Sequence, residues 1–301
     1  MAQYLLGRQP DDPRKPRVRL RALPGVTLTP PASRDWLSAV PGPWGFLAND
    51  RLGDCVAAAA GHHAQAINWY GQALNQGVSD ADTITMYSAI SGYNPTTGAN
   101  DNGAMLSDGL AYWQKSGIGG NKIAAYAQIS ATDLDLIRNC IAVFGGVYTG
   151  FNCPQSALDQ FDKGQPWSVV NRARIAGGHC VPIGGYGADY FECVTWGARQ
   201  RMSVAFLQRY FDEFWVPIDL DWMRAAGTSP DGLDTATLNA DYMALTGKPG
   251  PFVQVTPPVT PPVVDPPVTP PATDAVVLLT SLESQISVFL AAQQTPPHHG
   301  H

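Results

Sequence analysis

Prolines partition this chain before anything else is known of it. Pro10, Pro13, Pro16, Pro24, Pro30, Pro31, Pro41 and Pro43 all fall within the first 48 residues. Each fixes φ and lacks an N–H, so no helix can run through them. Residues 1–44 therefore read as an extended arm. Between Pro257 and Pro271, eight of fifteen residues are proline, in a repeated Val-Thr-Pro-Pro pattern. Such a run packs into neither helix nor sheet and forms a polyproline II spacer of roughly 3.1 Å per residue, read here as a linker over 251–273. Beyond it, Asp274 opens a helix over 274–294, in which Leu279, Leu282, Ile286 and Leu290 follow a 3,4 spacing and only Glu283 is charged. A helix of that kind on a stiff stalk self-associates or docks on a protein partner. Residues 295–301 are a tail, which leaves 45–250 as the one segment able to build a sizeable core.

Charge narrows the partners. The 301 residues carry a net charge of −6, with 45% apolar and 15% charged side chains, so bulk charge excludes a dedicated nucleic-acid binder. Arg8, Arg14, Lys15, Arg17, Arg19 and Arg21 nonetheless face only Asp11 and Asp12 in the first 21 residues, which makes the arm basic on an acidic body. We read it as a solvated or protein-docking segment. No apolar run approaches the roughly 18 residues of a membrane span, and no signal-peptide pattern opens the chain. Five cysteines at low density suit synthesis in a reducing cytoplasm rather than a disulfide scaffold, and with no Cys-x-x-Cys pair neither a metal nor a cofactor is expected. His62 and His63 read as helix-face residues, and Cys180 and Cys193 as packed thiols on neighbouring strands.

Within 45–250 the pattern changes halfway. Helices are expected over 56–70, 79–91, 106–115 and 132–144, with Asp54 as the N-cap of the first and Asp133 and Asp135 in the first turn of the last. Strands are expected over 146–151, 179–185 and 190–196, rich in β-branched and aromatic residues. Later helices are read over 203–214 and 235–245. Helices first and strands second argue an α+β fold.

The segment from Asn49 to Ala58 carries chemistry. Cys55 lies at a helix start, where unpaired N–H groups and the helix dipole favour a thiolate. Gly53 permits the tight turn that bares the sulfur, and the Asn49 amide is six residues upstream, placed to donate to an oxyanion beside the Cys55 N–H.

Together with a second segment, this pattern resembles the papain-like cysteine peptidases. That family has an amide side chain six positions before its cysteine, a glycine two before and an alanine-containing helix after, which Asn49, Gly53, Cys55, Ala57 and Ala58 match. Glutamine is the family's amide, and the aromatic residue after its cysteine is Val56 here. Its histidine opens a strand ending in Gly-Tyr-Gly, matched by His179 through Gly185, Tyr186 and Gly187, and Trp196-Gly197 follows the return strand. His179 lies 124 residues after Cys55, near the separation expected for the papain signature. Where the family has asparagine, this chain has Thr195 or, counted back from Trp196, Val194. Asn102 and Gly103 resemble the family's substrate-edge loop.

The resemblance covers roughly residues 45–215. It implies a helical half carrying the nucleophile helix, packed on a twisted antiparallel sheet or half-barrel, with the site in the cleft between. It further implies a thiol hydrolase of peptide or isopeptide bonds, in which Cys55 attacks, His179 moves the proton, Asn49 holds the oxyanion and Thr195 and Trp196 hold the imidazole, with a peptide or protein as substrate. The alternative is a non-catalytic docking protein on the same scaffold. The arm, the stalk and the terminal helix favour it, and the chain's style resembles papain-like proteins of bacteriophage and bacterial genomes. That implies a virion component of the capsid or tail, incorporated in an assembly or a homo-oligomer.

Overall fold

A computed structural model describes residues 4–15, 17, 19, 29–72, 74, 75, 77–219 and 222. The proline linker, the terminal helix, the tail and the helix expected over 235–245 lie outside the described residues.

The chain enters through two short strands, β1 (Arg8–Gln9) and β2 (Arg34–Asp35). A helical layer follows, made of α1 (Cys55–Gln72), α2 (Asp80–Ser91), the short strand β3 (Ala104–Met105) and α3 (Leu106–Lys115). The second half interleaves β4 (Ala125–Ile129), α4 (Leu134–Phe144), β5 (Val147–Pro154), α5 (Gln155–Asp162), β6 (Ile175–Tyr186), β7 (Tyr190–Thr195), β8 (Ala198–Ser203), α6 (Val204–Tyr210) and β9 (Phe211–Ile218). Hydrogen bonding orders the large antiparallel sheet β4-β9-β5-β6-β7-β8, with β2 also paired to β6. The architecture is thus α+β, as the block pattern implied.

Local chemistry explains the helical layer. In α1 the run Ala57–Ala60 is at most 3% exposed, so small side chains let the helix lie close against β6. Helix α2 opens on a reciprocal capping box between Ser79 and Asp82 and closes on Gly92 in the left-handed conformation. Helix α3 buries Leu106, Leu110 and Trp113, one face at helical spacing. Together with Tyr148 and Trp215 from the sheet, these helices enclose one apolar core, and a second lies over the far face of the sheet beneath α4 and α6.

Three expectations are corrected. The helix read over 203–214 stops at Tyr210, and Phe211–Ile218 is strand β9, held between β4 and β5. A ladder on both sides outweighs local helix propensity there. Asp54 caps α1 with its carbonyl, which accepts from Ala57 and Ala58 N–H, whereas both carboxylate oxygens are buried without a hydrogen bond. Residues 1–44 are not one continuous arm: Trp36, Leu37 and Trp44 are core residues. All five cysteines are buried and free. No described helix is long and apolar enough to cross a membrane, and no group of three candidate metal ligands occurs among the described residues.

Candidate active site

Asp54 ends the turn that Gly53 begins, and Cys55 is the first residue of α1. The thiol therefore sits at the helix N-terminus, where the dipole favours an anion. Burial opposes that tendency. Cys55 is 1% exposed, and desolvation pushes its thiol up to about 12, offset in part by backbone groups of Gly7 and Cys180 that approach it. Burial also lifts the neighbouring Asp54 carboxyl well above the ordinary carboxylate range; Asn49 opposes this rise in part, without a hydrogen bond of good geometry.

Opposite Cys55 stands β6. Cys180, whose backbone approaches the Cys55 thiol, directly follows His179 in this strand. The His179 Nε2 and the Thr195 hydroxyl are 2.8 Å apart, and the imidazole stacks on the Trp196 indole with centroids 4.5 Å apart and planes inclined by 15°. Thr195 thus occupies the position of an imidazole partner, and Trp196 covers the ring. Nδ1 of His179 has no hydrogen-bond partner. Desolvation, with a smaller contribution from His62, lowers the imidazole to about 3. Burial thus opposes charge on both the thiol and the imidazole.

The remaining expected residues converge on the same groove. Asn49 Nδ2 donates to the Leu52 carbonyl at 3.0 Å and to the Leu5 carbonyl at 3.3 Å. The backbone carbonyl of Asn102 accepts from Gln9 Nε2 at 2.6 Å. Gly103, at φ 78°, faces Gly7 so closely that a Cβ there would lie 1.9 Å from the Gly7 carbonyl oxygen. His62 and His63 are buried elsewhere on α1; His62 contacts the Gly45 carbonyl and His63 packs against Trp113.

These contacts reveal what the sequence reading missed: the groove is filled by the chain's own N-terminus. Residues 4–9 run between the two layers. The Gly7 carbonyl accepts from Ala104 N–H at 2.8 Å, and β1 pairs in parallel with β3. Tyr4 packs on Trp196 and Phe161 and donates to Asp162. A Cβ on Gly7 would fall 1.7 Å from the Gly53 carbonyl oxygen, and one on Gly178 would fall 2.3 Å from that of Arg8. Backbone thus passes backbone at van der Waals distance, which glycine alone permits. Arg8 leaves the strap sideways to meet Glu213 and Asp212. A glycine preceding one arginine among several was the whole of the available sequence signal.

No family model matches the chain, and no curated protein matches it. Solved structures do. Xylellain, a cysteine protease from Xylella fastidiosa, is 18% identical, and the match covers 72% of this chain and 96% of that one with a TM-score of 0.56. Procathepsin B S9 from Trypanosoma congolense matches at 12% identity over 71% of this chain and 86% of its own, TM-score 0.51. The cysteine protease and lectin-like domains of Cwp84 from Clostridium difficile match at 10% identity over 72% and 56%, also at 0.51. Likeness at these identities concerns the fold.

Proposed function

We propose that this chain, whose fold is papain-like, is a thiol hydrolase of peptide or isopeptide bonds whose groove is closed by its own N-terminal strap. One observation carries the reading. An extended peptide already lies across Asn49, Cys55 and the edge of β6, with the Leu5 carbonyl on the Asn49 amide and the Gly7 backbone against the Cys55 thiol. A groove that accepts main chain there can accept a substrate's main chain.

In the open groove, water reaches both buried groups and the desolvation that holds them neutral falls away. The α1 dipole then favours the Cys55 thiolate and Thr195 supports the His179 imidazolium. The thiolate attacks the carbonyl carbon, and the Asn49 amide and the Cys55 N–H stabilise the oxyanion. His179 delivers its proton to the departing amine, leaving an acyl thioester. A water molecule, deprotonated by His179, then releases the acid and restores the thiol. Trp196 shields the imidazole, and Thr195 acts on it as a positioning residue.

The test is a broad peptide-hydrolysis screen on the full chain carrying Gly7→Val to displace the strap, with and without Cys55→Ala. Turnover that vanishes with Cys55→Ala supports the proposal. Turnover indifferent to Cys55, or none in a variant whose Cys55 alkylates readily, sinks it. Burial of both Cys55 and His179 at 1% exposure favours a second reading, a non-catalytic docking protein on this fold, such as a bacteriophage virion component. In that case truncation after Gly250 abolishes association on size-exclusion chromatography, and no turnover is ever found.

A further inference from the structure

We infer that the depression formed by Pro41, Pro43, Trp69 and Leu74 at the end of α1 is the seat of the chain's own Val-Thr-Pro-Pro repeats, residues 255–262 and 268–271. Its lining also includes the amides of Gln65 and Asn75, and none of the described residues that line it carries a charge. Asn49, Cys55 and His179 do not belong to it, so the inference stands apart from the chemistry read into the groove.

Helix α1 supplies one wall. Gln65 and Trp69 stand four residues apart and share one face of the helix. The loop that follows returns past Gln65: a Cβ on Gly77 would lie 3.5 Å from its Nε2. Gln65 Oε1 is buried without a hydrogen bond, an acceptor for an incoming N–H or hydroxyl. Leu74, 44% exposed, carries the apolar surface to the rim.

Size and chemistry narrow the occupant. The depression holds about 190 Å³, below the roughly 300–1,000 Å³ of small-molecule pockets. An α-helix, roughly 10–12 Å across with its side chains, would span it rather than enter it. A Pro-Pro step is a narrow, stiff ridge that advances about 3.1 Å per residue. Such segments dock on aromatic-lined surfaces because they lose little conformational entropy on binding. Their carbonyls have no internal partner, and the Gln65 and Asn75 amides carry N–H donors for them. The threonine hydroxyl of each repeat is in turn a donor for Gln65 Oε1. Charge also matches: from Pro257 to Pro271 only Asp265 is charged, and it lies outside the repeats. Reach is ample. Trp222, the last described residue, packs on Tyr70 with centroids 6.1 Å apart, and Tyr70 directly follows Trp69. Val255 comes 33 residues after Trp222, a length that extends to at most ~110 Å.

The experiment uses the full chain, whose five native cysteines are buried. Thr260→Cys in the second repeat is paired with Asn75→Cys at the rim or with Thr96→Cys. Thr96 is exposed in the loop whose Asp101 accepts from Gly53 N–H, at the opposite end of α1. Disulfide formation is followed under oxidised glutathione. We expect the Asn75 pair to close at least tenfold faster than the Thr96 pair, and to give a monomeric product. Trp69→Ala should bring the two rates together. So should Pro257→Ser, Pro258→Ser, Pro261→Ser, Pro262→Ser, Pro270→Ser and Pro271→Ser combined, which leave the described residues untouched and keep the test decisive if Trp69→Ala folds poorly. Equal rates at the outset, or a ratio that survives either set of substitutions, overturn the inference. A disulfide-linked dimer in place of the monomer overturns it too, since the repeats seated there then belong to a second copy.

Discussion

The N-terminal 44 residues read as one basic, proline-broken arm, yet their two ends are held in different ways. Residues 4–15 are held through main-chain approach, two ion pairs at Arg8 and the stacking of Tyr4. Residues 29–44 are part of the domain. Trp36 is 6% exposed, donates from Nε1 to the Ile141 carbonyl at 2.8 Å and packs edge-on against Trp222 and Tyr70. Polar and backbone contacts can be exchanged for water or for another peptide at small net cost, whereas buried indole surface cannot. We therefore expect the first segment, of which only Tyr4 and Leu6 pack partly against the core, to be displaced more readily than the second, which is part of it.

Substitutions that part these two segments test the contrast most severely. Trp36→Ala removes a large core side chain and its hydrogen bond, and is expected to cost about 3–5 kcal/mol of unfolding free energy, read as a lowered denaturant midpoint. Gly7→Val drives a side chain into the Gly53 carbonyl. It is expected to raise the iodoacetamide reaction rate of Cys55 by about a hundredfold, the equivalent of ~2.7 kcal/mol of lost strap docking, and to lower the midpoint by less than Trp36→Ala does while the domain stays folded. A hundredfold gain accompanied by global unfolding would erase the distinction. Arg8→Ala removes the cation from Glu213 and Asp212 and is expected to raise the same rate by about tenfold, the equivalent of ~1.4 kcal/mol, since Asp212 is half-exposed and water screens its share of the pairing.

Acid probes both segments at once. The imidazole of His179 falls to about 3, that of His62 to about 4 and that of His63 to about 3, in each case through burial above all. A histidine whose folded value is lowered binds fewer protons than its unfolded counterpart, so its contribution is intact above pH 6.5 and lost as pH falls toward the folded value. Each histidine thus removes up to ~1.4 kcal/mol per pH unit within that window. Because His179 directly precedes Cys180, whose backbone approaches the Cys55 thiol, we expect strap release, read as Cys55 alkylation corrected for thiolate fraction, to begin at higher pH than global unfolding. Coincident midpoints would merge the two segments into one unit. The smallest effect is expected from Thr195→Asn, which exchanges one hydrogen-bonding side chain for another at His179 Nε2 and should change kcat severalfold with little change in KM.

What the sequence disclosed was local. Gly53-Asp-Cys55 and the run from His179 to Gly187 each occupy one turn or one strand, and residue order alone fixes their geometry. The helices over 79–91 and 106–115 were legible for the same reason. Strand β9 was misread because Phe211 to Ile218 carries no local strand signal strong enough to end the preceding helix; its identity comes from β4 and β5, distant in sequence. Strand β4, Ala125–Ile129, alternates in burial, but two alanines weaken the pattern. The strap was illegible because its complementarity resides in absent side chains, Gly7 against Gly53 and Gly103, and in one arginine whose partners lie more than 200 residues away.

Strand β2 joins the strap to the body by pairing Arg34 with Tyr186. The groove's resident peptide is consequently tethered, and its effective concentration is on the order of millimolar whatever the protein concentration. Dilution cannot relieve this occupancy, and a peptide arriving from solution must outbid a competitor that never diffuses away. Severing the backbone anywhere between the two segments would turn a first-order equilibrium into a second-order one, and the strap would then depart at micromolar protein concentrations even with every one of its contacts unaltered.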